Sequence, residues 1–238
     1  MKQNLFSLWI AAGSLFLSSC GGPKDVDKIA DAQACLDRAT ASEADECVSK
    51  VDGLESEGAY LIRCAGKFVK EGFNDPAKLT SVMSAIDSDT GTNGSTSLMA
   101  GLAFKAESST SLNFDSANEA FNYCTTANSK GLITLSGFAK TSSYFAKISN
   151  DTDLSGAEIQ ALMAANANDP VAQEAVGTVV AAIYETNCTN DQSTMGAYCE
   201  QFESALENIP GGLENPTELG KQIMLCYSAP TTPGCSGF

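Results

Sequence analysis

Histidine is absent from all 238 residues, which removes Ser-His-Asp and Cys-His catalysis, imidazole-ligated zinc and histidine-ligated haem together. Positive charge is scarce. Fourteen Lys and Arg, of which only Arg38 and Arg63 are arginines, stand against 29 Asp and Glu, for a net charge of −15. Affinity for nucleic acid comes mainly from cations that neutralise phosphates, so no nucleic-acid partner is expected. Trp9 is the single tryptophan. No apolar run reaches the roughly 20 residues that a membrane-spanning helix needs. No two cysteines are spaced Cys-x-x-Cys, so zinc, iron–sulfur, haem c and thioredoxin-type motifs lack support and no cofactor is expected. What remains, 43% hydrophobic and 18% charged, is the composition of a folded chain.

The N-terminus carries the most specific motif. Lys2 precedes a mostly apolar run over residues 5–17, too short for a bilayer span but suited to a signal-peptide core. The run ends Leu17-Ser18-Ser19-Cys20, followed by Gly21 and Gly22. This resembles the lipobox of bacterial lipoproteins, a resemblance that covers residues 1–20 only. It implies a diacylglycerol on the Cys20 thiol, cleavage after Ser19 and acylation of the new amino group. One acyl chain binds a membrane only marginally, whereas two or three make a durable anchor. Gly rather than Asp after Cys20 implies, by the same resemblance, sorting to the outer membrane, facing the periplasm or the cell surface. The other reading is an ordinary secretory signal with a chance cysteine, and on either the chain is exported. The expected organisation is residues 1–19 signal peptide, 20–23 lipidated cysteine and tether, and 24–238 one helical domain. Removing 1–19 takes away Lys2 and Trp9, leaving a charge of 13 − 29 = −16 and no Trp-lined sugar platform.

Eight further cysteines, Cys35, Cys47, Cys64, Cys124, Cys188, Cys199, Cys226 and Cys235, form an even set in a chain bound for an oxidising compartment. Four structural disulfides are expected. Cys35 and Cys47 flank an interhelix turn at Ala39-Thr40-Ala41, Cys188 and Cys199 bracket a polar loop, and Cys226, near the end of the last helix, is expected to catch Cys235 in a Pro/Gly-rich tail. Cys64 and Cys124 are left as a long-range pair.

Helical periodicity dominates the rest. Gly58, Leu61, Ile62, Ala65 and Phe68 fall on one stripe; so do Ala172, Ala175, Val176, Val179, Val180 and Ile183, and Met195, Tyr198, Cys199, Phe202, Leu206 and Ile209. Asp75-Pro76 and Asp169-Pro170 read as helix starts, as do Ser116 with Glu119, Ser155 with Glu158, and Asn215 with Glu218. The spacing predicts helices near 24–38, 43–51, 54–71, 76–87, 96–106, 116–129, 132–148, 156–167, 170–186, 195–208 and 216–227. Residues 131–138 and 177–184 are β-branched enough for strands, but their helical neighbours argue otherwise. The expected fold is all-α: a single disulfide-bonded bundle or stack of antiparallel helical hairpins, with about ten helices and the softest boundary at 88–95. A tetratricopeptide-like stack is compatible with the same pattern.

Candidate sites are few, and each has a plain structural reading beside it. Asp151, Asp153 and Ser155 occupy the first, third and fifth positions of a calcium loop with Gly156 at the sixth, but Leu162 at the twelfth cannot ligate. The loop from Asp87 to Gly94 is oxygen-rich but equally a set of turn formers. Glu55-Ser56-Glu57-Gly58 resembles the Glu-Ser start of the lytic peptidoglycan enzymes' motif, without their downstream Gly-Leu-Met-Gln stretch; first-turn acids at a helix start are the simpler reading. Arg38 and Arg63 are candidate anion or partner contacts, or members of local ion pairs. Tyr60, Phe68, Phe121, Phe138, Phe145 and Phe202 read as core. The sequence thus predicts a non-enzymatic scaffold or protein-interaction module of the cell envelope, held on the membrane through Cys20 and binding a basic protein partner. A cell-wall hydrolase and a small-ligand or lipid carrier are the alternatives.

Overall fold

The computed structural model describes residues 23–88, 94–189, 199, 203, 206 and 209–228. Cys20, Cys235, the loop residues 89–93, and Met195, Tyr198 and Phe202 of the expected 195–208 helix lie outside the described residues. Among those described, every regular element is helical: α1 (Pro23–Leu36), α2 (Ala44–Ser49), α3 (Glu57–Lys70), α4 (Pro76–Ser88), α5 (Gly94–Leu102), α6 (Thr110–Thr126), α7 (Lys130–Ser149), α8 (Gly156–Ala165), α9 (Pro170–Cys188) and α10 (Pro216–Ser228). Residues 131–138 and 177–184 lie in α7 and α9, so the fold is all-α.

Local chemistry explains most helix starts. Asp75 Oδ1 accepts from the Ala77 N–H at 2.9 Å and Asp169 Oδ1 from the Val171 N–H at 2.9 Å, each beside a proline at the first helical position. Ser155 and Glu158 form a reciprocal capping box, the hydroxyl accepting the Glu158 N–H at 3.2 Å and the carboxylate accepting the Ser155 N–H at 2.7 Å. Asn215 makes only half of such a box: its Oδ1 accepts the Glu218 N–H at 3.2 Å, while Glu218 reaches forward to Lys221 and Gln222. Ser116 is not a cap. It is buried within α6, which starts at Thr110 under Ser109, whose hydroxyl accepts from the Leu112 N–H. In α3 the buried face runs through Ala59, Ile62, Gly66 and Val69, and Leu61 of the expected stripe is exposed.

Three apolar clusters hold the helices together. Ala32, Leu36, Ala44, Cys47 and Ile62 fill the first, between α1, α2 and α3. Phe68, Phe104, Phe121, Ile133 and Val179 fill the second, which draws on residues either side of the 89–93 loop. Phe145, Ile159, Met163, Val176, Leu219 and Met224 fill the third, between α7, α8, α9 and α10. Helix α7 serves both larger clusters and runs antiparallel to α6 in a seven-residue register. Its sequence repeats, Ser136-Gly-Phe-Ala-Lys140 then Ser143-Tyr-Phe-Ala-Lys147. Lys140 lies 4.7 Å over Phe121 and Lys147 4.7 Å over Phe114, two cation–π contacts one heptad apart on both helices. Ser143 Oγ accepts the Phe104 N–H at 3.0 Å and Ser142 Oγ donates to Met99 O at 2.5 Å, so α7 satisfies backbone groups of the α5 segment from inside the core.

The tightest crossing joins α9 to α10. A Cβ on Gly177 would lie 1.7 Å from Pro216 O, and one on Gly220 would lie 1.8 Å from Gln173 O, so the two backbones touch where only glycine fits on either side.

The structure contains three disulfides between described residues: Cys35–Cys47 (S–S 1.97 Å), Cys64–Cys124 (2.04 Å) and Cys188–Cys199 (2.09 Å). These are the partners that the turn positions place opposite one another, plus the long-range pair left over. Cys226 is also disulfide-bonded; Cys235, its expected partner, lies outside the described residues.

Candidate functional site

Two assemblies of polar groups stand out from the packed helices, and both flank α3. The first is built on the α1–α2 hairpin. Thr40 donates its N–H and its hydroxyl to Glu43 Oε2, each at 2.8 Å, which fixes the turn between the helices. These two donors hold the exposed Glu43 carboxyl below the usual carboxylate range. The Cys35–Cys47 bond closes the hairpin beside a cavity of about 430 Å³ that Asp31, Arg38, Glu46 and Lys50 also line. Arg38 is tied to its own helix, Nε donating to Ala34 O at 3.0 Å. The cavity therefore offers both signs of charge around a disulfide. Its Glu43 carboxylate is biased towards the ionised form, the opposite of what a general acid for glycosidic cleavage needs.

The second assembly is a buried carboxylate. Glu71, just past the end of α3, is 7% exposed. Its Oε2 accepts the Lys105 N–H at 2.7 Å and the Ala106 N–H at 3.1 Å, pinning the strap between α5 and α6 to α3. Lys78 Nζ donates to the Glu71 backbone carbonyl and lies 4.1 Å over the Phe73 ring. Burial pushes the Glu71 carboxyl up, against the two backbone donors and Lys78, which pull it down. Burial likewise pushes Lys78 down. Next to it Lys70 bridges Asp45 and Glu107, both at 2.9 Å, which hold its ammonium charged. The oxygens of Glu71 are committed to backbone amides, so this group is a clasp. Nothing local in the sequence marks it, because its partners lie 34 and 35 residues away.

The residues singled out from sequence fall into structural duties. Asp153 pairs with Lys105 at 2.8 Å, Asp151 Oδ1 accepts the Asp153 N–H at 2.9 Å, and Ser155 caps α8. Gly156 sits where a Cβ would lie 2.6 Å from Ser97 Oγ and 2.8 Å from Ser97 N, a close helix contact and not a metal-loop bend. In this structure Asp151, Asp153 and Ser155 serve the turn into α8, its cap and an ion pair to Lys105. Among the described residues no group of three or more Asp, Glu or Cys is arranged to hold a metal ion. Glu55 and Glu57 are exposed at the start of α3, which Ser56 caps by accepting from the Ala59 N–H. Arg63 makes no ion pair among the described residues: Nη2 donates to Val51 O at 2.9 Å, and the guanidinium lies 5.1 Å over Tyr60 and 6.0 Å over Tyr123. It joins the end of the first hairpin to α3 and α6. Phe68, Phe121 and Phe145 are core, as their spacing indicates.

In comparisons with protein-family models, with curated proteins and with solved structures, nothing matches this chain.

Proposed function

We propose that the chain is an exported, lipid-anchored helical protein of the bacterial cell envelope that works through protein contacts. The observation that carries this reading is the set of three disulfides, one of them with both cysteines fully buried, because such bonds form and persist in oxidising compartments. No described helix is long and apolar enough to cross a membrane. Attachment therefore falls to the acyl chains that the lipobox resemblance puts on Cys20. The excess of 29 acidic over 14 basic residues favours a basic partner and keeps the body off anionic headgroups. The buried polar groups Glu71, Ser142 and Ser143 work for the fold by holding backbone, and the exposed Ser155 caps a helix.

Two measurements test the two halves of the reading. Labelling cells with palmitate is expected to mark the wild-type protein and to leave Cys20→Ala unmarked; a Cys20→Ala protein labelled as strongly as wild type contradicts the anchor. Chemical cross-linking in intact envelopes is expected to give a discrete adduct at low ionic strength that fades as salt rises. Absence of any adduct at every salt concentration contradicts the partner.

A further inference from the structure

We propose that the Cys35–Cys47 disulfide is a redox-sensitive latch on α1, opened by thiol–disulfide exchange ahead of Cys64–Cys124, and that opening it releases α1 from the body. The inference goes beyond the envelope reading and does not depend on acylation of Cys20.

Access separates the two bonds. Both cysteines of Cys64–Cys124 are 0% exposed, inside the second apolar cluster. Cys35 is partly exposed, and both Cys35 and Cys47 line the 430 Å³ cavity. Exchange requires a thiolate to reach a disulfide sulfur. Cys47 is 1% exposed, so Cys35 is the sulfur open to attack. The thiolate of a small dithiol bonds to Cys35 Sγ, the Cys35–Cys47 bond breaks, and its electron pair leaves on Cys47 Sγ, which takes a proton from water. The second thiol of the reagent then displaces Cys35 from the mixed disulfide. The dithiol is oxidised by two electrons to its cyclic disulfide and the protein is left with two thiols. Arg38 and Lys50 favour the thiolate that forms, while Asp31, Glu43 and Glu46 disfavour an anionic reagent, so an uncharged dithiol is the fitting probe.

What the latch holds follows from the packing. Helix α1 sits on α2 and α3. The apolar residues it contributes are Ile29, Ala32, Cys35 and Leu36, a short row in a cluster without aromatic residues. The disulfide is the covalent part of that seat. Once it opens, no covalent tie holds α1, whose apolar seat is Ile29, Ala32, Leu36 and the reduced Cys35, and α1 joins the low-stability end of the molecule.

The test uses the full chain. Dithiothreitol is raised in steps, free thiols are alkylated, and peptide mapping follows each disulfide while hydrogen exchange follows α1 and the α6–α7 hairpin. The expected result is Cys35 and Cys47 alkylated while Cys64–Cys124 is intact, with exchange in residues 23–36 faster by tenfold or more and no change in α6–α7. The double variant Cys35→Ser/Cys47→Ser is expected to show that fast α1 exchange without reductant. The proposal is overturned if Cys64–Cys124 opens first, or if Cys35–Cys47 opens, or is absent in the variant, with exchange in α1 unchanged.

Discussion

Single residues carry duties here that their types alone do not announce. Glu71 ends a helix whose last turn already holds Lys67 and Lys70, yet it is buried and clasps two backbone amides from the strap after α5. Removing the acceptor loses two hydrogen bonds from backbone amides to a carboxylate, each worth about 1.5–3 kcal/mol. Glu71→Ala is therefore expected to lose a few kcal/mol in urea denaturation, and a loss near zero would mean that the amides find other partners. The carboxyl's pH dependence has a definite sign. Its folded value is raised, so its contribution is complete below the ordinary glutamate range and is lost as pH rises through the folded value. Glu71→Gln keeps an acceptor oxygen without the charge. Its stability relative to wild type is thus expected to improve as pH goes from acid to neutral, and a gap that is flat with pH contradicts the assignment. None of this was legible in the sequence, since the clasp closes across 34 residues of chain. Arg63 was legible as scarce, but its use of a carbonyl and two tyrosine rings was not.

At the scale of elements, the starts with an unambiguous cap were readable and the one with a crowded choice was not. Asp75, Ser155 and Asp169 each stand alone before a proline or a matched glutamate. Before α6 the chain offers Ser108, Ser109, Thr110 and Ser111 in a row, and the later Ser116–Glu119 spacing is a coincidence inside the helix. The Ser-x-Phe-Ala-Lys repeat of α7 takes its meaning only from the phenylalanines of α6 in register beneath the lysines, which sequence periodicity alone does not show. Glycine gives the clearest prediction at this scale. Gly177→Ala or Gly220→Ala forces the α9–α10 backbones apart, because the nearest obstacles are carbonyl oxygens under 2 Å away and not flexible side chains. Each is expected to cost about 1–3 kcal/mol or more in thermal or urea unfolding. Gly131, in the first turn of α7, has nothing within 4 Å of its missing Cβ. Gly131→Ala is expected to stabilise, by up to about 1 kcal/mol, through helix propensity and a less free unfolded chain. Equal destabilisation at the crossing and at Gly131 would show that the crossing is not close-packed.

The molecule as a whole is a set of helical hairpins in which the disulfides tie near neighbours in sequence at Cys35–Cys47 and Cys188–Cys199 and distant ones at Cys64–Cys124. Loop-closure entropy makes the separation of 60 residues worth about 4 kcal/mol and the separation of 12 about 3 kcal/mol. Replacing Cys64 and Cys124 together by alanine is therefore expected to lower the urea midpoint more than replacing Cys35 and Cys47, and the reverse order would show that the long-range bond does not limit the unfolded chain. Cys64–Cys124 followed only by elimination, whereas the all-α fold and the pairs Cys35–Cys47 and Cys188–Cys199 were legible because helical period and turn position constrain them directly. The interior polar clasp was not, because burial is a property of the assembled clusters. The proposed function requires export, acylation and oxidation in one molecule, and the intact mass of protein extracted from membranes without reductant tests all three. The expected species begins at Cys20, carries two or three acyl chains and is eight hydrogens lighter than its reduced form. A species that begins at Met1, carries no lipid and shows every thiol free would contradict it.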